Sequence, residues 1–119
     1  MSCLKESFVP ICGEVEKELK KVLKGLLTGP MVKGYLPQNW VFVTETETVT
    51  FSVDRKGNAS ATEGGSESPD VTITIDHAYL AAALKDRKKP DFEYTRFETI
   101  FHTGKGETAF NYLGKRLGL

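Results

Sequence analysis

Between residues 8 and 27, apolar side chains recur every three or four positions. Ile11, Cys12, Val15, Leu19, Val22, Leu23, Leu26 and Leu27 make one stripe, and Glu14, Lys17, Glu18, Lys20, Lys21 and Lys24 the opposite face. The spacing predicts an amphipathic helix. Ser7 reads as its cap, Pro10 as part of its first turn, and Gly29-Pro30 as its stop, with lysines gathered toward the C-terminal end. After a Gly- and Pro-rich connector (28–39) the period changes from about 3.6 to 2. Trp40-Val41-Phe42-Val43 opens a strand that is apolar on both sides, and Val49, Phe51 and Val53 alternate with Thr48, Thr50 and Ser52 in a second. The turn Arg55-Lys56-Gly57-Asn58 leads to a third strand near 58–63. Val71, Ile73 and Ile75, alternating with Thr72 and Thr74, give a fourth. Asp76 reads as the N-cap of a helix with Tyr79, Leu80, Ala83 and Leu84 on its buried side. Residues 91–103 fit either a short helix around Phe92 and Phe97 or a strand within Thr95–Thr103. Gly104-Lys105-Gly106 reads as a turn, and Glu107 to Leu117 as a closing helix with Phe110, Leu113 and Leu117 on one face.

Consecutive short strands with tight turns argue for an antiparallel sheet. The face bearing Thr48, Thr50, Thr72 and Thr74 is polar enough to meet water, so the helices are expected on the other. The expected fold is α+β in two layers: a mainly antiparallel five-stranded sheet with helices packed on one face.

Length and charge narrow the function classes. The 119 residues fit one domain spanning 1–119. Sixteen basic and 16 acidic side chains cancel, which argues against a nucleic-acid binder. No apolar run approaches the ~18 residues of a membrane span. The start MSCLKES lacks the pattern of a secretory signal, so a cytoplasmic protein is expected. Cys3 and Cys12 would stand about 13 Å apart along a helix, too far for a disulfide, and read as reduced thiols. His77 and His102 stand apart, with no metal-ligand spacing and no nucleophile–base pair in the sequence. No cofactor, no metal and no enzymatic activity are expected. Asp70 and Asp76, which bracket a strand, read as turn and cap.

Four stretches together resemble the sterol carrier protein type 2-like lipid-binding domain over essentially the whole chain. These are the amphipathic first helix feeding Trp40-Val41-Phe42; the Asp54-Arg55-Lys56-Gly57-Asn58 turn; Pro69-Asp70-Val71-Thr72-Ile73-Thr74-Ile75-Asp76 followed by a helix with Leu80 and Leu84; and the Gly104–Glu107 turn before a last helix. The chain departs from the family pattern at Arg96-Phe97-Glu98-Thr99, where a Gly-Lys pair usually opens the last strand. The resemblance implies an apolar tunnel between sheet and helices, entry near the last helix, and uptake and release without chemistry.

On that reading the lining residues are Phe42, Phe51, Ile73 and Ile75 of the sheet, Leu80 and Leu84 of the middle helix, and Phe97, Phe101, Phe110, Leu113 and Leu117. The same residues would equally pack as a solid core. An empty dry void of ~400 Å³ would cost roughly 10 kcal/mol, as much as the whole stability of a typical domain. The space is therefore filled by side chains, by water, or by a lipid, fatty acyl or isoprenoid-like ligand. Gly104, Gly106, Gly114 and Gly118 make the last helix the expected gate. Lys85, Arg87, Lys88 and Lys89, with Lys105, Lys115 and Arg116, would offer transient contact to an anionic membrane surface. The expected function is non-enzymatic binding and carrying of a long apolar ligand. The alternative is a ligand-free interaction module of the same fold, supporting a homodimer or a partner protein.

Overall fold

The computed structural model describes residues 4–25, 34–86, 88 and 90–113. Helix α1 (Leu4–Leu23) is followed by β1 (Gln38–Val43), β2 (Thr48–Val53), β3 (Ala59–Glu63) and β4 (Val71–Ile75), then α2 (His77–Asp86), β5 (Phe97–Phe101) and α3 (Gly104–Leu113). The strands form one sheet in the order β3-β2-β1-β4-β5. Three junctions are antiparallel, and β1 pairs with β4 in parallel. The expected α+β, five-stranded architecture with helices packed against the sheet is what forms, and the sheet is mixed.

Strand alternation divides the sheet into two faces. Trp40 stands opposite Phe51 and Val71, and Phe42 opposite Val49 and Ile73. These side chains, with Val53 and Ile75, are buried in one core together with Leu4, Phe8 and Ile11 of α1 and Leu80 and Leu84 of α2. Phe8 seats its ring 5.0 Å from Phe42 and 5.7 Å from Phe51, between centroids. Fully burying side chains of this size stabilises by about 1.5–3 kcal/mol each.

The opposite face carries the threonines, and part of it is covered. Because β4 lies beyond β1 while β3 lies beyond β2, the chain from 64 to 70 must cross both strands. Gly64 donates its N–H to Thr48 O (2.8 Å) and accepts from Thr50 Oγ1 (2.7 Å), which buries Thr50 and Val41 on that face. The expectation of a fully wetted threonine face therefore does not hold at Thr50.

Several boundaries differ from those expected. Helix α1 starts at Leu4, four or more residues earlier than its periodicity indicated, so Ser7 is not its cap and Pro10 lies inside it. Leu4 and Phe8, one turn apart and both buried, extend the stripe backwards. Pro10 is on the exposed side, where water can satisfy the Glu6 carbonyl that it leaves without a helical donor. Residues 91–96 form no helix, and β5 occupies 97–101. Gly104 and Gly106 belong to the first turn of α3.

Candidate functional site

The eleven lining candidates fall into three sets. Phe42, Phe51, Ile73, Ile75, Leu80 and Leu84 are fully buried. Phe42 and Phe51 lie under Phe8, so α1 itself fills the space above β1 and β2. Phe97 and Phe110 are partly buried against the core, and Phe101 is 39 % exposed. Leu117 and the side chain of Leu113 lie outside the described residues.

The structure brings the second set together with β4. Ile75 stands opposite Phe97, Ile73 opposite Thr99, and Val71 opposite Phe101. The helix-facing surface of β5 is thus Phe97-Thr99-Phe101, directly continuing the buried apolar row of β4. Phe110 of α3 bridges the two, its ring centroid 5.4 Å from Trp40 and 5.8 Å from Phe101. An apolar strip runs from the sealed centre of the core outward to an edge strand. In the middle of that strip the Thr99 hydroxyl is buried and, among the described residues, has no hydrogen-bond partner. A buried unpaired hydroxyl costs ~1–3 kcal/mol.

A polar frame fixes the first turn of α3 beside the strip. Asp70 is buried at the start of β4. Its Oδ2 accepts the Asn39 N–H (2.9 Å), its Oδ1 accepts the Thr103 hydroxyl (2.8 Å), and Lys105 Nζ stands 3.7 Å away. Thr103 Oγ1 in turn accepts the Gly106 N–H at 3.0 Å and caps α3. Lys105 donates to Pro37 O (2.7 Å), and buried Gln38 donates to Lys105 O (3.1 Å) while accepting Trp40 Nε1 (2.9 Å). A Cβ on Gly106 would sit 2.6 Å from Asp70 O, so only glycine allows this approach. Gly106 is therefore an anchoring residue of α3. Lys105, assigned from sequence to a basic patch, is held at its tip by Pro37 and Asp70. Arg87, Lys89, Lys115 and Arg116 of that patch lie outside the described residues, as do Cys3, Gly114 and Gly118.

The two other helices are held by one turn. Glu47 Oε1 accepts the Leu4 N–H (2.9 Å), capping α1. Its Oε2 is 3.0 Å from His77 Nε2, a contact in which the carboxylate can only accept. Glu45 caps α2 through the His77 N–H (2.8 Å), and this bond holds its carboxyl below the ordinary value. The Asp76 carboxylate, expected to cap α2, instead accepts from Thr95 and Arg96, fixing the chain that leads into β5. The Thr95 N–H is the largest cause of its lowered pKa. Sequence reasoning missed Glu45, Glu47, Phe8 and Thr99. Two carboxylates in a tight turn are visible in Thr44-Glu45-Thr46-Glu47, but their partners lie 30 to 43 positions away.

Among the described residues no group of three or more His, Cys, Asp and Glu is placed to hold a metal ion. Cys12 is half-buried, and burial, then Glu16, pushes its thiol pKa up, away from nucleophilic reactivity. His102 shares a hydrogen bond with Thr72 Oγ1 (2.9 Å) on the outer face. No described helix is long and apolar enough to cross a membrane.

Fold and site together define a two-layer α+β domain whose apolar core reaches one sheet edge. No protein-family model matches the chain, and no curated protein matches it significantly. Among solved structures, a chain described as "UbiJ-SCP2 Ubiquinone synthesis protein" is similar at 10 % identity and a TM-score of 0.38, covering 89 % of this chain and 78 % of its own.

Proposed function

We propose that the protein binds and carries a lipid or another long apolar molecule, without chemistry, between the inner face of β4–β5 and helices α2 and α3. One observation carries the reading: the buried row Val71-Ile73-Ile75 continues into Phe97, Thr99 and the exposed Phe101. Apolar surface left open at the end of a continuous core is what a guest chain would cover. The residues that would hold it are Ile73, Ile75, Leu80, Leu84, Phe97, Phe101 and Phe110. Entry is at the β5 edge, and with the first turn of α3 tied to Asp70, the later part of α3 is what moves.

The test is native mass spectrometry and solvent extraction of the purified full chain, followed by titration with a fluorescent fatty acid. Co-purifying acyl or isoprenoid chains, displaced by the probe, are expected. A ligand-free protein that ignores the probe would overturn the carrier reading. The interaction-module reading then stands, favoured by the pairing of β5, among the described residues, with β4 alone and by the exposure of Ile100 on it. Light scattering would then look for a dimer.

A further inference from the structure

The segment between α2 and β5 holds Phe92 and Tyr94 at 49 % and 47 % exposure. Both rings stand nearly perpendicular to buried Tyr79 of α2, with centroids 5.7 and 5.3 Å away and interplanar angles of 81° and 87°. The three rings thus form one corner, with Tyr79 buried in it and Phe92 and Tyr94 open to solvent. The corner opens into a cleft of about 420 Å³ lined by Tyr79, Pro90, Asp91, Phe92, Glu93 and Tyr94. Among the described residues, three rings and two carboxylates line it, and no basic side chain does.

This composition selects a ligand class. Aromatic rings present a negative quadrupole face, which attracts a cation within about 6 Å. The carboxylates of Asp91 and Glu93 add formal negative charge at the rim. A hard metal ion wants six or more oxygen ligands, and this lining does not supply them. An unmodified ammonium is strongly hydrated. A methylated ammonium carries the same charge inside an apolar shell that rings can contact, so it gains from both halves of the lining. We propose that this cleft binds a quaternary or methylated ammonium group. The chemistry is that of a free cation such as choline and equally of a choline headgroup on a lipid. The inference does not depend on the apolar-carrier reading, because none of the cleft's described residues is among those assigned to the apolar strip.

The experiment follows aromatic ring protons of the full chain by NMR during titration with choline, with its uncharged isostere 3,3-dimethylbutan-1-ol, and with phosphatidylcholine vesicles set against phosphatidylglycerol vesicles. Saturable shifts at Tyr79, Phe92 and Tyr94 with choline, and at least five-fold weaker binding of the isostere, are expected. Phe92→Leu and Tyr94→Leu should each weaken choline binding about two- to five-fold. The exposure of both rings keeps these variants folded. Asp91→Asn with Glu93→Gln should weaken binding and flatten its salt dependence. A response to phosphatidylcholine vesicles alone assigns the cleft to a lipid headgroup and supports the proposal. Equal binding of the isostere, or no response to choline and to either vesicle, overturns it.

Discussion

Glu47 accepts the backbone N–H of Leu4 at 2.9 Å, so the start of α1 is capped from 43 positions away. Neighbouring Glu45 does the same for α2, which makes the β1–β2 turn the common clasp of both helices. Glu47→Ala should lower stability by about 1–2 kcal/mol, since it removes a cap and takes the Glu47 carboxylate away from the His77 ring. Glu47→Gln, which keeps an acceptor oxygen, should lose less. Urea unfolding of the two variants checks the order, and an unchanged midpoint for Glu47→Ala would show that the cap contributes nothing.

Gly104 and Gly106 should respond oppositely to alanine. A Cβ at Gly106 meets Asp70 backbone at 2.6 Å, and one at Gly104 meets nothing within 4 Å. Gly106→Ala should cost roughly 1–3 kcal/mol through forced backbone displacement. Gly104→Ala should be neutral or stabilise by up to ~1 kcal/mol, because alanine restricts the unfolded chain and favours helix. Thermal melts of the pair decide it: equal shifts would mean that the close approach to Asp70 does not constrain the fold.

Acid should weaken the fold in a defined window. The carboxyls of Glu45, Asp54 and Asp76 are held below their ordinary values of 4.5, 3.8 and 3.8, chiefly by the His77 N–H, the Asn58 side chain and the Thr95 N–H respectively. A depressed carboxyl contributes stability that is complete above its unfolded pKa and is lost as pH falls through the folded one. Stability should therefore hold above about pH 5 and decline below it. Asp76→Asn should be less stable than the parent at pH 7 and show a shallower acid decline, the two curves converging at low pH. Parallel curves in denaturation midpoint against pH would refute the linkage.

Binding and stability should separate along the apolar strip. Phe51→Ala, beneath Phe8 in the sealed core, should cost about 3–5 kcal/mol. Phe101→Ala, on the exposed end, should barely change the melting temperature and yet weaken uptake of a fluorescent fatty acid several-fold. Thr99→Val removes a buried hydroxyl without a partner and should stabilise by roughly 1 kcal/mol. Loss of stability in Thr99→Val would place a partner on that hydroxyl, and unchanged uptake in Phe101→Ala would move the entry elsewhere.

Much of the fold was legible because its signals are local. The alternation of Val71, Ile73 and Ile75 marks β4 and its inner face, and Val49, Phe51 and Val53 do so for β2. Six inward candidates, from Phe42 to Leu84, are buried as their periodicity indicates. The start of α1 was not legible. Proline is commonest in a first turn, which hid a helix begun earlier and held by Glu47. The roles of Asp76 and Gly106 were also hidden, since a carboxylate near a helix start and a glycine before one read locally as cap and turn. Both depend on which strand lies beside which. Phe101 differs from Phe51 for the same reason: strand order, set by non-local pairing, puts one at an edge and the other under α1.

The single parallel junction carries a consequence for how the chain assembles. β1, β2 and β3 join through tight turns and can zip up from their neighbours, whereas β1 meets β4 only after the 64–70 crossover has been laid across the sheet. Closing that long loop comes before any pairing reward. The reciprocal bonds of Asn39 and Asp70, N–H to O and N–H to carboxylate, then lock the register at one end of the seam. On this topology β4 and β5, with the strip between them, are expected to add to a three-stranded template already formed, so hydrogen-exchange protection of β5 should develop later in refolding than that of β1 and β2.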